Sequence, residues 1–133
     1  MEKIQINPFE KFHKQWALVT AGTKEKFNIM SIGWGTIGTL WRAPLVTVFI
    51  KPVRYTLEFV YKSDYFTVSF YHEKYKKSLG IMGLKSRRDC DKVKLAGLIP
   101  KFLENGITFK EATKLMFVRK FIVNKWIKQN SLN

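Results

Sequence analysis

Residues Phe27–Thr56 read FNIMSIGWGTIGTLWRAPLVTVFIKPVRYT, and this stretch decides how the rest of the chain is read. It divides into a short strand, a long loop containing glycine and tryptophan, a strongly apolar strand, and a turn entering a helix. Leu45–Ile50 is the buried-strand candidate: Val, Thr and Phe suit a pleated surface, and the run is too short for a globular helix. Pro44 and Pro52 frame it. In the intervening loop Gly33, Gly35 and Gly38 permit close backbone approach, while Trp34 and Trp41 are costly to leave exposed. The two tryptophans belong either to the core or a subunit interface, or to a surface that receives a flat partner.

Working outward, Trp16–Ala21 is a strand candidate ending at Gly22, and Asn28–Ile32 resumes the extended pattern after a polar turn at Thr23–Lys26, as in a hairpin. Tyr55–Lys62 suits a short helix with Tyr55 and Phe59 on one face and Glu58 supporting Lys62. Phe66, Val68 and Phe70 alternate with Thr67 and Ser69, a strand signature. His72–Leu79 begins a helix that Gly80 and Gly83 are expected to interrupt, leaving a compact bend. Ser86 or Asp89 is expected to cap a second short helix carrying Val93, Leu95 and Ala96. Pro100 opens a connection, Asn105-Gly106 makes a turn, and Ile107–Lys110 is extended. Glu111–Val123 carries both helix and strand signals, and Trp126 and Ile127 are placed to clasp the domain.

A chain of 133 residues accommodates one domain but not comfortably two, and an apolar fraction of 46% supports a real core. The expected division is an approach segment at 1–15, tacked down by Phe9 and Phe12, a domain at 16–123, and a divergent tail at 124–133. The formal charge of +14 favours nucleic acids, anionic surfaces and phosphorylated ligands alike, and discourages a cationic substrate. The lysines are dispersed, so solvated faces account for most of them. Cys90 is the sole cysteine, which rules out an intrachain disulfide and suits the cytoplasm weakly. No continuous run reaches membrane-spanning length, and membrane insertion is not expected.

Three blocks, WALVTAG, FNIMSIGWGTIGTLWRAPLVTVFIKPVRYTLEF and KSDYFTVSFYHEKYKKSLGIMGLKSRRDCDKV, together resemble the flavin reductase-like family, the FMN-binding split-barrel proteins that include flavoredoxin. The resemblance covers roughly Trp16–Val118. It implies a mainly β fold, a Greek-key split β-barrel with short peripheral helices, binding FMN and usually pairing as a homodimer with the flavin near the subunit boundary. It places Asn28, Met30, Ser31 and Ile32 beside the flavin, with Gly33 turning the chain closely and Trp34 and Trp41 packing the ring or the dimer. The KPVRYT block supplies Arg54, Tyr55 and Thr56, where Arg54 can neutralise a phosphate and the incoming helix terminus can donate hydrogen bonds. Ser86, Arg88 and Lys92 resemble a further anion-binding block, although Arg87 stands where many relatives have glycine and Cys90 where an aliphatic residue is common. The end departs most: longer members continue through further strands, whereas this chain runs from KLMFVRKF into IVNKWIKQNSLN.

The function implied is an FMN-dependent oxidoreductase, an NAD(P)H-linked flavin reductase or an electron-transfer flavoprotein, with the chemistry on the flavin and no catalytic side chain required. NADH, NADPH or a redox protein would be the partner. The rivals are a noncatalytic flavin- or haem-binding split-barrel protein, with His72 as the haem candidate, and a basic nucleic-acid-binding module using Trp34 and Trp41. The bases and aromatics are not interleaved in one tract, which counts against nucleic acid. No metal site is expected, since the histidines and Cys90 have no clustered partner.

Overall fold

Val68 and Phe70 lie at the centre of the alternating segment and have no exposed surface, and the main sheet grows outward from the strand that carries them. In the computed structural model of the chain, residues 7–103, 106–110 and 112–119 are described. A π-helical turn at Phe9–Lys14 leads into β1 (Ala17–Gly22) and β2 (Phe27–Ile32), then β3 (Gly35–Leu40), β4 (Ala43–Val48) and α1 (Tyr55–Lys62). After β5 (Tyr65–Tyr71) come α2 (Lys76–Leu84), α3 (Lys92–Ala96), β6 (Pro100–Leu103), β7 (Gly106–Phe109) and β8 (Ala112–Arg119). The main sheet is antiparallel throughout, in the order β2-β1-β5-β8, and Val19 pairs with both Met30 and Val68.

The period-two geometry of a strand sends neighbouring residues to opposite faces, so each face of this sheet needs its own cover. On one face Val19, Met30, Ile32, Val68 and Phe70 pack with Phe12 and with Val60 of α1. On the other, Leu18, Ile29 and Tyr71 pack with Leu79 and Met82 of α2, Val93 of α3 and Phe109 of β7. Phe12 is buried and meets Phe70 edge to face at 5.5 Å, whereas Phe9 is exposed. Each fully buried Leu, Val or Phe contributes about 1.5–3 kcal/mol, so the sheet holds most of the stabilising contacts.

Thr67 and Ser69, which alternate with the apolar residues of β5, are buried as deeply as those neighbours. They lie beneath β7, where Thr67 Oγ1 donates to Ile107 O at 2.5 Å and the Ser69 and Thr108 hydroxyls meet at 2.9 Å. A hydroxyl can enter a core when it finds such a partner, and alternation alone does not reveal one.

Several sequence expectations are corrected. The long loop after Ile32 is a hairpin: β3 and β4 pair from Gly35↔Val48 to Leu40↔Ala43 and form a separate two-stranded arm. Trp41 and Arg42 make its turn with φ of 47° and 63°, the sign that a type I′ hairpin turn requires at both central positions. The strand expected to be buried over Leu45–Ile50 is β4, of which only Val46 is buried. Gly80 and Gly83 do not interrupt their helix; α2 runs through both. The cap of α3 is Asp91, whose side chain accepts from Lys94 N, while the Ser86 hydroxyl accepts from Arg88 N. Pro100 opens strand β6 instead of a connection, and the ambiguous segment from 112 to 119 is strand β8 on the sheet edge. Asn105, Trp126 and Ile127 lie outside the described residues.

Candidate functional site

Where β2 ends, the chain passes α2 and the entry to α1, and these three elements enclose a cleft of about 260 Å³. Ser31, Ile32 and Gly33 line it from β2 and the turn that follows; Leu79, Gly80, Gly83 and Leu84 line it from α2; Arg54 and Trp16 complete it. Close packing explains the residue types. The Ser31 hydroxyl donates to Leu79 O, and a Cβ on Gly83 would stand 3.4 Å from Ser31 Cβ, so the helix and the strand approach to contact distance there. Arg54 is exposed, and its Nη1 lies 3.5 Å from Gly83 O across the mouth. It directly precedes α1, where Leu57 N donates to Arg54 O at 3.1 Å and no side chain caps the N–H groups of Tyr55 and Thr56.

The structure brings Ser31, Ile32, Gly33 and Arg54 together in this cleft and sends the other candidate residues elsewhere. Asn28 and Thr56 are buried and hydrogen-bonded to each other, Nδ2 to Oγ1 at 3.1 Å, which ties β2 to α1. Met30 is in the core. Trp34 and Trp41 are 63% and 81% exposed, beside and at the tip of the β3–β4 arm, with Lys51 Nζ 5.6 Å from the Trp34 ring. Tyr55 lines a second hollow of about 220 Å³ between α1 and the β1–β2 turn. Arg88 is ion-paired with Glu58 and lies 4.3 Å from the Tyr55 ring, with Ser86 at the start of the same turn.

Lys92 is buried, and its Nζ donates to Met82 O at 3.1 Å and Lys85 O at 3.3 Å, closing the C-terminal end of α2. Burial, reinforced by the charges of Arg87 and Arg54 and opposed by Cys90, lowers its pKa from 10.5 to about 8. Arg87 is held by Phe27, donating to its carbonyl at 3.0 Å and stacking on its ring at 4.3 Å. His72 Nδ1 accepts from Lys74 N and caps the turn at Glu73–Tyr75. Among the described residues no group of three or more His, Cys, Asp or Glu could hold a metal ion, and no helix is long and apolar enough to cross a membrane.

Sequence reasoning missed Trp16, Leu79, Gly80, Gly83 and Leu84. The spacing of Gly80 and Gly83 was the available signal, because residues three apart share a helix face and two glycines there leave room for a close neighbour. Nothing in the sequence marked Trp16.

The chain is therefore a strand-rich domain with short peripheral helices, and the cleft at the end of β2 combines a glycine-bearing wall with an arginine at a helix entry. Residues 9–117 match the flavin reductase like domain family, and the chain belongs to it. Among solved structures it resembles an FMN-binding domain of a flavin reductases-like enzyme from Shewanella baltica (TM-score 0.77, 16% identity, 93% of this chain and 68% of that one). It also resembles flavoredoxin from Methanosarcina acetivorans (TM-score 0.69, 27% identity, 90% of this chain and 64% of that one). A third is the FMN-binding protein from Thermus thermophilus with bound 1-cyclohex-2-enone (TM-score 0.71, 23% identity, 92% of this chain and 70% of that one). The chain thus spans about two thirds of the length of each of these proteins. No curated protein matches it. With these neighbours the fold is the split β-barrel implied by the sequence resemblance.

Proposed function

We propose that the chain binds FMN in the cleft between β2, α2 and the entry to α1, and acts as an FMN-dependent oxidoreductase, either an NAD(P)H-linked flavin reductase or an electron-transfer flavoprotein. The observation that carries this reading is the convergence of Ser31, Gly33, Gly83 and Arg54 on one cleft in a member of the flavin reductase like domain family. A volume of about 260 Å³ falls just under the usual range for ligand pockets, about 300–1,000 Å³, and suits the ring portion of a nucleotide. The phosphate would be met by the Arg54 guanidinium and by the first N–H groups of α1, which favour an anion together. Leu79, Leu84 and Trp16 supply apolar surface for a flat ring.

FMN, when bound, supplies the one- and two-electron chemistry that no side chain here offers. The protein's share is to orient the ring through the main chain at Ser31–Gly33 and to neutralise the tail. NADH, NADPH or a redox protein would be the electron donor. The chain would pair with a second copy through the β3–β4 arm and the residues beside it, where Trp34, Leu40, Trp41, Phe49 and Val53 are each exposed.

Anaerobic titration of FMN-reconstituted protein with NADH and then NADPH tests the function; loss of the oxidised flavin spectrum with one of them is expected. Stable FMN that neither nucleotide reduces would overturn the reductase assignment and leave the electron-transfer role. For the phosphate contact, Arg54→Ala is expected to weaken FMN about 10- to 100-fold, the range of a lost charged hydrogen bond, and to leave riboflavin unchanged. Equal losses for both ligands would remove Arg54 from the phosphate.

A further inference from the structure

Trp16 sits where the π-helical turn ends and β1 begins, with a left-handed φ of 62°. Glycine ordinarily fills such helix-terminating positions, and a bulky L-residue there is strained. Strain of this kind persists only where the surroundings enforce it, and it concentrates at functional sites. The surroundings here do enforce it. A Cβ on Gly33 would stand 3.3 Å from Trp16 Cδ1 and one on Gly80 would stand 3.8 Å from Cζ3, so the indole is seated between two residues that lack side chains. Lys76 Nζ lies 4.9 Å from the ring centroid and holds it as a cation against the π-face. The indole lines the same cleft as Arg54, whereas Trp34 and Trp41 do not line it.

We infer that Trp16 is the specificity-determining aromatic of the cleft, the surface on which the planar ring of the cofactor rests. This rests on the flavin reading above and adds a division of labour: Trp16 reads the ring and Arg54 reads the tail. An indole packed against two glycine backbones has little freedom left to lose when a second ring stacks on it, which makes it a better platform than a mobile surface tryptophan.

The test is to titrate the wild-type protein, Trp16→Phe, Trp16→Leu and Trp16→Gly with riboflavin and with FMN, following flavin fluorescence and the thermal unfolding of each variant. Stacking on an aromatic ring is worth about tenfold or more in affinity, so Trp16→Leu is expected to weaken both flavins by about that factor and to relieve the quenching of the bound flavin. Trp16→Phe should retain most of both effects. Trp16→Gly suits the left-handed backbone and provides a ringless variant whose folding does not depend on strain. Unchanged affinity and quenching in the Leu and Gly variants would overturn the role of Trp16 alone. So would quenching that survives in Trp16→Leu and disappears in Trp41→Leu. Wild-type protein that takes up neither flavin would overturn the flavin reading itself.

Discussion

The β1 segment ALVTAG and the β4 segment APLVTV are nearly interchangeable in composition, yet the first is buried along almost its whole length, whereas in the second only Val46 is buried and the rest is half-buried or exposed. What separates them is the layer above. β1 lies inside a four-stranded sheet with α1 and Phe12 on one face and α2, α3 and β7 on the other. Among the described residues β4 pairs only with β3, and the arm reaches the core through Val46, with Ile37 and Val48 packed partly against it. An apolar run therefore specifies a strand, while its burial depends on which other elements come to cover it. On the arm the cover is proposed to come from a second copy, which turns an apparent excess of exposed aromatics into an interface.

The sharpest way to break this comparison is to make the same deletion in both regions. Phe70→Ala removes a ring with no exposed surface and is expected to cost about 3–5 kcal/mol in urea unfolding, since it leaves a cavity. Phe49→Ala, at a residue 56% exposed, should change protomer stability by no more than about 0.5 kcal/mol and instead weaken self-association in sedimentation runs at several concentrations. A large stability loss from Phe49→Ala, with association unaffected, would mean that the arm is part of the protomer core after all.

A smaller effect concerns the layer that covers the sheet. Lys92 has a folded-state pKa lowered to about 8, so between pH 8 and 10.5 the unfolded chain binds more protons than the folded one, and stability rises with pH across that window. The buried charge costs stability below pH 8 and the cost is removed above 10.5. Comparing wild type with Lys92→Met, the wild-type protein should gain on the order of 2–3 kcal/mol over that interval relative to the variant. Parallel stability curves for the two proteins would show that Lys92 titrates normally and does not close α2 from a buried position.

The smallest effect lies at the arm's turn. Trp41 and Arg42 both have positive φ, which Asn-Gly adopts more readily. The double replacement Trp41→Asn, Arg42→Gly is expected to stabilise the protomer by about 0.5–1 kcal/mol while reducing self-association. A turn kept at a conformational cost for the sake of its tryptophan would show both changes; a purely structural turn would show only the first.

The segments whose pattern is local were legible. Tyr55–Lys62 is a helix with the expected bounds, and Thr23–Lys26 closes the first hairpin, with Thr23 N donating to Lys26 O at 2.8 Å. Misreadings arose where a partner distant in sequence decides the outcome. Gly80 and Gly83 argue against a helix by propensity, yet α2 forms because Leu79 and Met82 bury against the sheet while the glycines admit Ser31 and Trp16. The alternation of Thr67 and Ser69 with apolar residues marked a strand, but not that β7 would bury both hydroxyls and supply their hydrogen-bond partners. The candidate residues from 28 to 33 formed one block in the sequence, but alternation along β2 sends Asn28 and Met30 to one face and Ser31 to the other.

Strand and helix periodicity, turn chemistry and the ordered family blocks sufficed to identify a mainly β domain of the flavin reductase-like kind, because those signals are carried by neighbours in the chain. Which residues meet in the cleft was decided only by the tertiary structure: Trp16, Ser31, Arg54 and Gly83 are separated by up to 67 positions, and strand register and helix docking bring them together. The physical reason is that sequence spacing governs which side of an element a residue occupies, whereas the contacts across elements depend on how the layers close.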